Sequence, residues 1–150
     1  METTNYKKML LMLLISFFIM YAVMFLNVNS EDDIFLSLNR LYMALLMVAP
    51  MAILMLVFMP MMYKRKTLNN FIYCTAVGIF AIALFGLRSQ ALISDEQYMK
   101  AMIPHHSSAI MTSGNADLRD PEVKALSEKI IKSQHQEITQ MKSILERMNK

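Results

Sequence analysis

Glycine is scarce in this chain, three residues of 150, and proline nearly so, at four. Helix breakers are few, runs of β-branched side chains are few, and the bias is therefore helical. A single cysteine, Cys74, excludes a disulfide framework within the chain and a cysteine-rich zinc site. Neither sign of charge is in large excess: 15 Lys and Arg stand against 12 Asp and Glu. The resulting +3 is too small, and too evenly spread, to argue for a nucleic-acid partner. Several catalytic signatures are missing as well. There is no Gly-rich phosphate loop and no His-Glu-x-x-His, and no Glu-x-x-His, so the di-iron pattern of helical bundles is absent. Ser107 and Ser108 adjoin a histidine, but neither an oriented base nor an oxyanion site can be read around them. No catalytic residue is assigned, and the chain is not expected to be an enzyme.

What is present is apolar surface. Hydrophobic residues make up 55% of the chain and the mean hydropathy is +0.35, too apolar for an ordinary soluble domain of this size. Met9 to Ser30 carries no charge and follows Lys7-Lys8. It is long enough to cross a bilayer, which takes about 20 residues. A signal peptide shares the basic start and apolar run, but this run is too long and its exit lacks an Ala-x-Ala cleavage site. A retained membrane helix over about 9–28 is the expectation. After the acidic Glu31-Asp32-Asp33, a second span is expected over about 41–62, with a kink near Pro50 and a frayed end at Pro60. A third follows Lys64-Arg65-Lys66, over about 68–87. The chain thus divides into a three-span membrane domain, 1–88, and a charged, amphipathic remainder, 89–150.

Charge orients the spans. Three crossings place Lys7, Lys8, Lys64, Arg65 and Lys66 on one side, opposed only by Glu2, and the positive-inside rule makes that side cytoplasmic. The acidic loop and the C-terminal domain fall on the other side. The expected setting is a bacterial cytoplasmic membrane, with the N-terminus cytoplasmic and the C-terminal domain periplasmic or extracellular.

The C-terminal domain reads as a helical hairpin. Ser94-Asp95-Glu96-Gln97 has the form of a capping box, with Gln97 reaching back to Ser94. The first helix runs from Asp95 towards Asp117, bent at Pro104 and weakened at Gly114. Asp120-Pro121-Glu122 starts the second, which continues to about Met148. At 100° per residue, Met99, Met102, Ile103, His106, Ala109 and Ile110 share one face of the first helix, with His105 on its rim. On the second, Val123, Leu126, Ile130, Met141, Ile144, Leu145 and Met148 line one side, and Gln134 and Glu137 fall within it. A carboxylate on an apolar stripe must be paired, hydrogen-bonded or protonated, and His106 is its candidate partner. His135 points to solvent.

Two readings of that face compete. In one, His106 and Glu137 are a buried structural pair and the methionines are adaptable filler. In the other they belong to a soft-metal site, because Cu(I) and Ag(I) suit thioether sulfur together with imidazole nitrogen. Met102, His105 and His106 supply that mixture within one turn, on the side of a membrane where thiols tend to oxidise. Methionine is abundant throughout, at 17 residues. Met43, Met47, Met51, Met55 and Met59 recur every four residues along the second span, and Met20 and Met24 repeat the spacing on the first. Packing is the favoured reading of this ladder; a path for a soft cation is the sharper one. The spans hold no internal charge, which speaks against a proton-coupled pump.

Residues Asp95 to Leu145 resemble the bacterial family known as domain of unknown function 305. The matching residues are Met102-Ile103-Pro104-His105-His106, Ala109-Ile110, Asp120-Pro121-Glu122 and Gln134-x-x-Glu137-Ile138-x-x-Met141. The resemblance implies a ferritin-like helical fold and, as in some members, extracytoplasmic copper or silver binding. It makes His105, His106, Met102 and Met141 the expected ligands, with Glu137 binding the metal or holding a ligand in place. With Met99 from the same face, the candidate metal residues are His105, His106, Met102, Met141, Glu137 and Met99. The fold expected is all-α: three transmembrane helices followed by an extracytoplasmic helical hairpin, a ferritin-like half-bundle. Two helices bury little core, so the hairpin is expected to form a homodimer with a second copy or to dock on its own membrane helices. The function expected is membrane-anchored binding of Cu(I) or Ag(I) in metal tolerance or delivery. The alternative is a non-metal structural or interaction module of the cell envelope.

Overall fold

A computed structural model describes residues 2–149, with side chains from Thr3 onward. The described residues are all-α: α1 (Glu2–Val23), a short 3-10 turn (Glu31–Asp33), α2 (Leu38–Phe58), α3 (Lys66–Ser89), α4 (Asp95–Asn115) and α5 (Pro121–Met148). Three of them, Thr3–Val23, Leu38–Phe58 and Lys66–Ser89, are long and apolar enough to cross a membrane.

All three differ at their ends from the apolar runs that announced them. The first was expected over about 9–28, but α1 begins seven residues earlier and stops at Val23. Apolar sequence continues through Leu26, so hydropathy does not end the helix. Instead Met24–Asn27 turn away, Phe25 is buried, and the polar atoms of Asn27 and Asn29 bond to Ser108 and Ser107. The second run, expected over 41–62, is helical from Leu38 to Phe58, and Pro60 lies beyond its end. Pro50 sits inside that helix without ending it.

The chain forms two compact units. One contains the residues up to Val23 together with Asn39–Leu92; the other contains Met24–Leu38 together with Ile93 onward. The connection between the first two spans is thus part of the hairpin unit.

In the first unit, Tyr6, Met9, Leu56 and Tyr63 form a buried cluster, with Leu13, Met55, Leu68 and Ile72 against it. Polar bonds close one end. The Tyr6 hydroxyl donates to Asn69 Oδ1 at 2.7 Å and accepts from the Arg65 N–H at 3.1 Å. Asn69 Nδ2 in turn donates to the Tyr63 carbonyl. Further along, Gly86 of α3 lies under the ring of Tyr42 of α2, where a Cβ would stand 2.8 Å from the ring. The close approach needs glycine at that position, and the Tyr42 hydroxyl fixes it by donating to the Ala91 carbonyl. On α2 the buried row is Ala44, Ala49, Ala52 and Leu56. Of the ladder, Met43, Met47 and Met59 are exposed, whereas Met55 packs against the buried cluster.

In the second unit, Met99, Ile103, Ile110, Ile138 and Leu145 form the core, with Phe35, Ile131, Met141 and Ile144 packed against it. Phe35 comes from the span connection. The caps are where local sequence placed them: Ser94 Oγ accepts from the Gln97 N–H, and Asp120 Oδ1 accepts from the N–H groups of Glu122 and Val123. The reciprocal half of the expected capping box does not form. Gln97 Oε1 accepts from the Leu38 N–H at 3.0 Å, so its side chain serves the connection rather than its own helix.

Candidate functional site

Both hairpin faces are rotated from the expected ones. On α4 the buried residues are Met99, Ala101, Ile103, Pro104, Ser107 and Ile110, so the face extends past Ile103 towards Ser107. On α5 they are Ser127, Ile138 and Leu145, while Val123, Leu126 and Met148 are exposed. The α5 stripe is turned by about 60° relative to expectation, less than one residue step. On α4 the reason is the span connection, whose Asp33 and Asn29 bond to Ser107 on a flank that a bare hairpin would leave in water.

The bonds there are the strongest polar feature of the unit. Ser107, wholly buried, donates to Asp33 Oδ2 at 2.6 Å and accepts from the Asn29 N–H at 2.8 Å. The other carboxylate oxygen of Asp33, Oδ1, lies 2.6 Å from Lys142 Nζ. Asp33 is buried and Lys142 is partly covered, so a carboxylate from the connection joins both hairpin helices. Sequence reasoning missed this group. From sequence Asp33 reads only as part of an acidic connection, and Ser107 only as a hydroxyl beside a histidine. A signal for Ser107 existed, because it lies within one turn of both Ile103 and Ile110 on the same helical arc.

The candidate metal residues fall into three situations. His105 is exposed. Met99 is buried in the core, and Met141 packs against that same core. His106, Met102 and Glu137 are partly covered. The side chain of His106 is 17% exposed, with Nδ1 3.1 Å from Glu137 Oε2. That distance suits a hydrogen bond, but the direction does not, and the buried Nδ1 has no hydrogen-bond partner. The contact is one of charge and dipole rather than a directed bond. Oε1 of Glu137 accepts from the Ser133 hydroxyl at 2.6 Å, which holds the carboxylate in place. The rings of His105 and His106 lie 5.9 Å apart and tilted by 59°.

The electrostatics of His106 follow from this placement. Burial pushes its pKa below the ordinary 6.5; the Glu137 carboxylate pulls it up and His105 pulls it further down. Burial is the largest influence. That direction favours the uncharged ring, the form in which histidine binds metal. Among the described residues, no three His, Cys, Asp or Glu side chains gather into a metal-binding group.

The comparisons with known proteins come to the same region. Residues 84–147 match the family described as "Domain of unknown function (DUF305)". The chain is also 39% identical over 145 residues to "Uncharacterized protein L153" of Acanthamoeba polyphaga mimivirus, an alignment covering 95% of this chain and 93% of that one. The chain belongs to the DUF305 family. The family match begins within the last turns of α3 and takes in the whole hairpin, whereas the viral relative aligns across the spans as well. That relative is viral, so the likeness does not carry the bacterial origin expected from the sequence. No solved structure matches the chain.

Proposed function

We propose that this DUF305 protein is a membrane-anchored binder of a soft monovalent metal ion, Cu(I) or Ag(I), serving metal tolerance or delivery. The observation that carries the reading is His106: a mostly buried imidazole, its charged form disfavoured by burial, whose Nδ1 lacks a hydrogen-bond partner. Unpaired buried polar atoms cost free energy, and they are kept where a site uses them. His105 adjoins it, and Met102 lies one helical turn before it. Since the described residues offer no cluster of three His, Cys, Asp or Glu, thioether sulfur would have to complete the set. That mixture favours a soft ion over zinc. Glu137, already engaged by Ser133, would orient the imidazole. Met99 and Met141 pack on the core and would join only after a shift of α5.

The orientation belongs to the proposal: the hairpin lies on the face away from Lys7, Lys8, Lys64, Arg65 and Lys66. It follows the positive-inside rule, under which such cationic loops stay on the cytoplasmic side of a bacterial membrane. A second copy would cover the exposed Val123, Leu126 and Met148 and complete a four-helix, ferritin-like arrangement.

A second reading, a structural or interaction module without metal, is favoured by the Ser133–Glu137 bond and by the core position of Met99 and Met141. Anaerobic titration of purified full-length protein with Cu(I) against a competing chelator separates the two. Full-length chain is required because Asp33, the partner of Ser107 and Lys142, lies outside the hairpin sequence. The metal reading expects one equivalent per chain, weakened at least about tenfold, about 1.4 kcal/mol, in the His105→Ala/His106→Ala variant. Absence of uptake by the wild-type protein would leave the module reading in place.

A further inference from the structure

The first unit contains a groove of 620 Å³ lined almost wholly by carbon. Along α1 it extends from Thr3 to Phe17, about 21 Å at 1.5 Å per residue. Ala49 and Ala52 of α2 and Ala76 of α3 line it further; their short side chains leave the space that leucine would fill. One end is polar: Lys7 lies at the wall and is exposed. The same end is tied to the α2–α3 loop, because Tyr6, next to Lys7, accepts from the Arg65 N–H and Asn5 donates to the Met62 carbonyl. Lys8, Lys64, Arg65 and Lys66 belong to these two joined segments. The groove is thus a long apolar slot with a cationic mouth, in a unit whose helices are long and apolar enough to span a bilayer.

We propose that this groove binds one anionic phospholipid, with an acyl chain lying along α1 and the headgroup phosphate held by Lys7 and its cationic neighbours. The dimensions agree. One leaflet is about 15 Å of hydrocarbon deep, half of the roughly 30 Å core, and the slot exceeds that by enough to bring its mouth to headgroup level. Its volume falls in the range of sites that enclose small molecules, about 300–1,000 Å³. The charge selects the partner: Lys7 at the wall, with four more cations on the two segments joined at that end, favours phosphatidylglycerol or phosphatidylserine over a zwitterionic lipid with the same tails. A second copy of the chain is a poorer occupant, because two such mouths would repel each other. The inference is independent of the metal reading and uses none of its residues.

Native mass spectrometry of the full-length protein, released from mixed dioleoyl-phosphatidylglycerol and dioleoyl-phosphatidylcholine vesicles into mild detergent, tests it. The expected result is one phosphatidylglycerol retained per chain, at least tenfold enriched over phosphatidylcholine. Lys7→Gln, at an exposed position, should weaken retention about fivefold, the equivalent of about 1 kcal/mol for one cation near an anionic surface. Ala49→Leu/Ala52→Leu should abolish it while helix content by circular dichroism is unchanged. Equal retention of the two lipids, retention indifferent to Lys7→Gln, or a lipid-free dimer would overturn the proposal. If the leucine variant loses its helix content, the Lys7→Gln comparison still decides.

Discussion

His106 differs from His105 only by one step along a helix, yet the two are opposite in character. His105 meets water, whereas His106 is mostly covered and its pKa is lowered by burial. The sign of the resulting pH dependence can be worked out. Below 6.5 the unfolded chain protonates this histidine before the folded chain does, so the unfolded state binds more protons and stability falls with pH. The fall begins as pH drops through about 6.5 and ends below the lowered folded value. Thermal unfolding of the wild-type protein should therefore show a declining midpoint on acidification in that window, and His106→Gln should flatten the decline. The titration of His106 followed by NMR should also move lower in Glu137→Gln, which removes the neighbour that favours the charged ring. Of this site, the adjacency of the two histidines and the His106–Glu137 approach were legible from helical spacing. The orphaned Nδ1 was not, because it depends on ring orientation within packed neighbours.

Among the elements, the connection between α1 and α2 holds more of the hairpin together than its composition suggests. Asp33 touches Ser107 on α4 and Lys142 on α5, and the Asn29 and Leu38 N–H groups bond to Ser107 and Gln97. Asp33→Ala would strand both a buried hydroxyl and an ammonium. Removing one partner of a buried ion pair costs about 3–5 kcal/mol; with Lys142 partly exposed, a loss of about 2–3 kcal/mol is expected. Hydrogen exchange of the α4 amides measures it directly as a lowered opening free energy, and Asp33→Asn, which keeps an acceptor for Ser107, should lose less. Unchanged protection would mean the contact is incidental. The helix starts at Ser94 and Asp120 were readable because a cap involves residues two or three apart. The bond from Gln97 was not, since its partner is 59 positions away, and a separation of 74 positions hid the bond from Ser107 to Asp33.

For the molecule as a whole, the number of crossings decides which segments share a compartment. The connection after α1 and the hairpin after α3 form one unit, and three crossings would put both on the same side of a membrane. The proposed orientation keeps the cationic segments inside. With Cys74 replaced by serine, cysteines introduced as Lys64→Cys and Lys129→Cys report the two sides. A membrane-impermeant maleimide applied to intact cells or sealed vesicles should label the second and spare the first. The reverse pattern would invert the orientation and place the metal candidates in the cytoplasm.

Apolar run length, helical period and local capping were enough to establish from sequence that the chain is all-α, carries three span-length helices and ends in a two-helix hairpin. These are properties of neighbours within a few residues, where backbone geometry leaves little choice. The end of α1, the rotation of both hairpin faces, and the joining of residues 24–38 to the hairpin were settled only by tertiary structure. Each depends on side chains brought together from distant segments, where a buried carboxylate must find its hydroxyl and its ammonium, and no local pattern records that meeting.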